Sequence, residues 1–267
     1  MEKYIFYAEV DKGNVIKVLI DILSGQLSRT VFMVSEKGIS ITDSDSKNTI
    51  CYNANMEREN FKKFHCDNPI NFSFNLKHVN RLIKNVKKKD HIVLFTERDH
   101  PDSMAIQIFS DSSTAGRLET NKVVIQQEIE EGFKELPDKD LYHHPIPINS
   151  SDFQKIKKQT VFGNKVITIR MIRDKYISFN CSSADVYSSK LEFGADDPEA
   201  DAYEADFSAS LFSNLVKLPG LSPQIQVYCP REEAGSYPIL IRSNISTLGK
   251  LDVFIKDRDQ IAFENSQ

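Results

Sequence analysis

The stretch that decides the reading of this chain is Phe61–Leu94, FKKFHCDNPINFSFNLKHVNRLIKNVKKKDHIVL. Within it Leu76, Val79, Ile83 and Val86 fall on one helical stripe, and the spacing predicts a helix over Leu76–Val86. Lys77, Arg81, Lys84 and Lys88 follow at steps of four, three and four, which places them together opposite the apolar stripe with no acidic residue between them. Ile92–Thr96 then reads as a strand.

The same arrangement recurs. Phe207–Ile241 overlays Phe74–Ile108 at a constant shift of 133 without a gap, pairing Phe74 with Phe207, Leu82 with Leu215, Ile83 with Val216, Lys84 with Lys217, Ile92 with Ile225 and Ile106 with Ile239. At a shift of 138, Ile39-Ser40-Ile41 falls on Ile177-Ser178-Phe179 and Lys17 on Lys155. A helix, a turn and strands that repeat together point to duplication. Around these segments Tyr4–Val10, Thr30–Val34, Gly38–Asp43, Met104–Phe109, Val166–Ile172, Ile177–Cys181, Ile225–Cys229 and Ile239–Arg242 read as strands, and Val15–Leu23, Phe153–Gln159 and Leu211–Leu218 as further helices. The fold class is α+β, with two similar domains at 1–122 and 142–267. The acidic segment Val123–Leu141, with its Leu136-Pro137 pair, is an exposed connector between them.

Charge is segregated. The chain of 267 residues has 34 Lys and Arg against 38 Asp and Glu, a net of −4. Its helical segments 13–24, 76–89, 151–160 and 209–218 nevertheless hold 11 basic residues against 2 acidic ones, leaving −13 on the remainder. Such a surface attracts phosphates at the helices and repels nucleic acid elsewhere. Without aromatic stacking platforms the reading favours duplex backbone over single strands. The four cysteines form no CxxC pair, no basic and apolar leader opens the chain, and no run of about 18 apolar residues could span a bilayer, so neither a zinc site, nor secretion, nor a membrane partner is expected.

The ordered set of Phe61–Leu94, Gly38-Ile39, Leu136-Pro137 and Leu248-Gly249-Lys250-Leu251 resembles the proliferating cell nuclear antigen family over essentially the whole chain. The resemblance implies a DNA sliding clamp: three identical subunits joined head to tail in a ring, with antiparallel sheets outside and four helices lining the hole. Such a protein would be a non-catalytic processivity factor with no cofactor. Its partners would be double-stranded DNA, bound without sequence preference, together with a DNA polymerase, a clamp loader and other short-motif proteins. Work in a nucleus follows, or at a cytoplasmic replication site if the source is a large DNA virus.

Position by position, the family's DNA-facing residues match Lys17, Arg81, Lys84, Lys155, Lys158 and Lys217, and helical spacing adds Lys77. Leu136, Pro238 and Phe254 match apolar positions of its partner-binding groove. Thr49 stands there in place of a branched apolar residue, Ser44 where Met is frequent, and Lys256-Asp257 where the family has Ala-Pro, which implies altered partner preference. Leu118–Ile125 and Asp185–Phe193 are the candidate edges for subunit pairing.

Two other readings compete. Asp196, Asp197, Glu199, Asp201, Glu204 and Asp206 could hold Mg²⁺ for phosphoryl chemistry, though a surface connection around Gly194–Pro198 explains them more simply, as a connector surface explains His143-His144. P-loop, GxGxxG and GxSxG motifs are absent. The fold could also serve a heterotrimeric checkpoint clamp or a viral processivity factor that does not close a ring.

Overall fold

The structure is a computed structural model, and it describes residues 2–110, 116–125, 136–157, 165–183, 187–231 and 237–266. The chain divides into two compact units, one comprising 1–43, 52–133 and 244–251, the other 44–51, 134–243 and 252–267.

In the first unit, strands β1 (Tyr4–Val10), β2 (Arg29–Ser35), β3 (Gly38–Ser44), β4 (Ile50–Glu57, shared in part with the second unit), β5 (Lys63–Cys66), β6 (Ile70–Asn75), β7 (His91–Glu97), β8 (His100–Ser110) and β9 (Arg117–Val124) accompany helices α1 (Gly13–Leu23) and α2 (Leu76–Ile83). One antiparallel sheet runs β5-β1-β7-β8-β9, and β2 pairs with both β3 and β6. Strand alternation turns Phe6, Ala8 and Val10 inward on β1 and Phe32 and Val34 on β2. Phe32 stacks on Phe74 at 4.6 Å. Leu76, Val79 and Ile83 of α2 and Leu19, Ile20 and Leu23 of α1 are buried, each such side chain contributing about 1.5–3 kcal/mol relative to exposure.

Two glycines are required by close approach. Gly38 has φ +134°, and a Cβ there would lie 2.0 Å from the Met56 carbonyl oxygen. At the start of α1, the Gly13 amide donates to the Asp90 carbonyl at 2.7 Å, where a Cβ would come within 2.9 Å of the same oxygen.

The second unit holds β10 (Ile146–Asn149), β11 (Val166–Ile172), β12 (Tyr176–Ser183), β13 (Tyr187–Gly194), β14 (Ala202–Ser208), β15 (Gln224–Tyr228), β16 (Ile239–Asn244) and the greater part of buried β17 (Gly249–Ile255). Its helices are α3 (Ser150–Phe153), α4 (Ala209–Phe212) and α5 (Arg258–Glu264). One sheet runs β13-β12-β11-β14, and β15 pairs with β10 and β16. Phe153 packs edge-on against Phe179 at 5.7 Å.

The repeat in the sequence is a repeat in topology. The β2–β6 and β11–β14 pairs correspond, as do β1–β7 and β10–β15, and β7–β8 and β15–β16, all antiparallel. The overlaid residues are buried in both units: Phe74 and Phe207, Ile92 and Ile225, Ile106 and Ile239. The fold is α+β with antiparallel sheets and few helices.

The helices differ from the sequence reading. The Leu76–Val86 helix ends at Ile83, with Lys84 as its cap, because the next residues turn back: Val86 donates to Ile83 and the Lys87 amide to the Asp90 carboxylate. Lys88 therefore leaves the helical stripe. Leu211–Leu218 is the short α4 followed by a 3-10 segment, Leu215–Gly220, where Pro219 lacks the amide that an α-helix needs. Of Phe153–Gln159, residues 158 and 159 lie outside the described residues; the helix Ser150–Phe153 is followed by a turn at 154–155, and 156–157 are helical again. Strands β4, β5, β6, β10, β14 and β17 and helix α5 were not expected.

Candidate nucleic-acid interface

Helix α2 builds the basic face. Asn75 caps its start, the side chain accepting from the His78 amide at 3.1 Å. The buried stripe Leu76, Val79 and Ile83 fixes the rotation of the helix, so Lys77, Arg81 and Lys84 point into solvent. Arg81 and Lys84 also sit at the last turn and the cap, where cations complement the helix dipole. None of the three has an ion-pair partner among the described residues. Asn80 ties α2 to α1, donating to Asp21 and to Ser24 at 3.0 Å each.

The other basic candidates are placed differently. Lys17 of α1 is partly buried and donates to the Val86 carbonyl at 3.0 Å. Lys155 pairs with Asp152 at 2.7 Å, and that bond holds the Asp152 carboxyl below its ordinary range. Lys217 is partly buried on Leu215–Gly220, and Lys158 lies outside the described residues. Three exposed lysines, Lys87, Lys88 and Lys89, follow α2 directly.

The groove residues lie within the second unit. Phe254 is buried with Tyr142 and Leu240, and Leu136, Leu141, Cys51 and Tyr228 pack against them. Pro238 joins through its carbonyl, which accepts from the Tyr142 hydroxyl at 2.9 Å; burial pushes that phenol well above its usual range. Thr49 has another task. Its hydroxyl and amide donate to the two oxygens of Asp45 at 2.9 and 2.6 Å, closing a turn, while its carbonyl accepts from the Lys256 amide at 3.0 Å. Asp257, at the family's Ala-Pro position, caps α5 in a reciprocal box with Gln260, and Gln260 donates to the Tyr237 carbonyl at 2.6 Å beside Pro238. Tyr142, Leu240 and Tyr228 escaped the sequence reading, although an aromatic immediately after the connector was its available signal. Arg242, bidentate to Asp252 at 2.6 and 2.7 Å, stacks over the Tyr228 ring.

Three of the six acidic residues considered for metal, Asp196, Asp201 and Glu204, face cations. Asp196 lies 3.6 Å from Arg170 and 3.8 Å from Lys190, Asp201 lies 3.8 Å from Arg173 and Glu204 lies 3.9 Å from Arg170.

Residues 5–131 match the family model described as proliferating cell nuclear antigen, N-terminal domain. The chain is 22% identical over 257 residues to a probable DNA polymerase sliding clamp of Autographa californica nuclear polyhedrosis virus, covering 94% of this chain and 95% of the relative. Residues 5–131 thus carry the N-terminal domain of the proliferating cell nuclear antigen family. The similarity is distant but extends over the whole chain: a probable DNA polymerase sliding clamp of Paramecium bursaria Chlorella virus 1 is also 22% identical, across 95% of this chain and 97% of the relative. The fold agrees with the crystal structure of the proliferating cellular nuclear antigen from Entamoeba histolytica, at a TM-score of 0.78 and 19% identity over 96% of this chain and 99% of that one. The family's N-terminal domain thus contains α2 and its basic face.

Proposed function

We propose that this chain is a DNA sliding clamp, a polymerase processivity factor without catalytic chemistry of its own. The observation that carries the reading is the exposed cationic face Lys77, Arg81 and Lys84, without ion-pair partners among the described residues, on a chain whose net charge is −4. Contacts from such a face go to phosphates and carry no sequence information, so the protein can move along duplex DNA without large barriers. Lys158 and Lys217 would add to it, whereas Lys17 and Lys155, held by the Val86 carbonyl and by Asp152, would add little.

The proposed assembly is a head-to-tail homotrimer in which β9 of one copy pairs with β13 of the next. Both strands terminate their sheets among the described residues and so offer unpaired backbone groups. Leu118 and Val124 of β9 are 58% and 70% exposed, apolar side chains that a neighbouring copy would cover. Beside them a cleft of about 420 Å³, lined by Leu82, Val123 and Val124 and bordered by Arg81 and Lys122, leaves room for a neighbour's side chain. In this reading the domains are 1–122 and 142–267, and 123–141 connects them. The groove around Leu136, Pro238 and Phe254, with Thr49 at its border, receives short motifs of the polymerase, clamp loader and other partners in a nucleus or viral replication site.

Native mass by light scattering coupled to size exclusion tests this assembly. A mass near three times 30.5 kDa agrees with it, whereas a monomer at micromolar concentration would transfer the function to a hetero-oligomeric clamp or an open processivity factor.

A further inference from the structure

The turn after α2 carries Lys87, Lys88 and Lys89, three consecutive exposed lysines. Its conformation is fixed from below. The Lys87 amide donates to Oδ2 of Asp90 at 2.8 Å, the Asp90 amide donates back to the Lys87 carbonyl at 3.1 Å, and the Asp90 carbonyl accepts from Gly13 at 2.7 Å. Asp90 is only 3% exposed, and the absence of a Cβ at Gly13 is what lets α1 approach it so closely.

The Asp90 carboxylate thus bonds to backbone and not to a lysine ammonium. Among the described residues Lys87, Lys88 and Lys89 have no ion-pair partner. Adjacent like charges held on a built turn repel one another until a polyanion neutralises them. The turn begins three residues after Lys84, so it continues the cationic surface of α2. Immediately before it, the Val86 carbonyl accepts from the Lys17 ammonium at 3.0 Å, which ties that side chain down at this end of α2.

We propose that the Lys87–Lys89 turn is a second phosphate-binding element, taking the backbone of duplex DNA and supplying attraction that Lys17 and Lys155 do not. The inference rests on the sliding-clamp reading, and its ligand class is the phosphodiester chain rather than any base.

The test compares salt dependence of binding to a fluorescent duplex for the wild-type protein, the Lys87→Ala/Lys88→Ala/Lys89→Ala variant and a control lacking the exposed lysines Lys37, Lys47 and Lys250. Each phosphate contact adds about 0.9 to the slope of log affinity against log salt, so the turn variant should lose about 2–3 from its slope and the control less than about 1. Unchanged native mass and thermal midpoint accompany the expected result, because the three side chains are exposed. Equal slopes for the turn variant and the control overturn the inference while leaving the clamp reading intact. A wild-type protein that binds no duplex at any salt overturns the clamp reading and this inference with it.

Discussion

The ammonium of Lys17 donates to the carbonyl of Val86 at 3.0 Å, joining the first helix to the end of the second. A lysine at a DNA-facing position of the family is thereby occupied within its own unit. Lys17→Ala should therefore change the salt slope of duplex binding by well under one, whereas Arg81→Ala and Lys84→Ala should each reduce it by about 0.9. Binding titrations across salt concentrations separate the two cases, and an equal loss for Lys17 and Lys84 would contradict this assignment.

Assembly should depend on β9. Leu118→Glu/Val124→Glu places charge on the two most exposed apolar side chains of that strand, and removal from water of an unpaired carboxylate is unfavourable. The expected outcome is a folded monomer by light scattering with unchanged circular dichroism. A variant that stays trimeric would remove β9 from the interface.

Rotation of the basic face is fixed by the α2 core. Ile83→Ala deletes a side chain that is 1% exposed and should destabilise the protein by about 2–5 kcal/mol in urea unfolding. Lys77→Ala, exposed on the opposite face, should leave the midpoint unchanged.

Acid stability follows from the edge where β1 meets β5. Burial alone would push the Glu9 carboxyl up, but Lys62 at 2.9 Å and Lys63 at 3.6 Å prevail and hold it below its ordinary value. Lys62, bonded at 3.1 Å, likewise lowers Asp11. Carboxyls depressed in the folded state contribute stability above the unfolded carboxylate range, about pH 4, and lose it as pH falls through their folded values. Lys62→Met should lower stability at neutral pH and flatten the loss below about pH 4, seen as converging denaturation midpoints. Parallel curves would show that Lys62 does not set these carboxyls.

Much of the fold was legible because its signals were periodic. Tyr4–Val10 and Val166–Ile172 alternate or run apolar from end to end, and the gap-free repeat joined two helices to their strands before any coordinates. Strand β4 was missed because Asn53, Ala54 and Asn55 weaken its β propensity, although Ile50, Tyr52, Ala54 and Met56 alternate inward. The basic face of α2 was readable from spacing alone. What spacing could not show was which cations have partners: Lys17 and Lys155 look like Lys77 in sequence, and only the Val86 carbonyl and Asp152 distinguish them. Thr49 likewise read as a defect in an apolar groove until Asp45 appeared as the acceptor of its hydroxyl.

Topological enclosure of duplex DNA can be tested without a loader on a linear duplex whose ends can be blocked. Protein is added before or after both ends are capped with bound streptavidin, and the retained fraction is measured after a high-salt wash. A ring is retained only when the ends are closed after it has threaded on, is lost from open ends and does not enter pre-capped DNA. Equal retention in all three arrangements would contradict a ring around DNA.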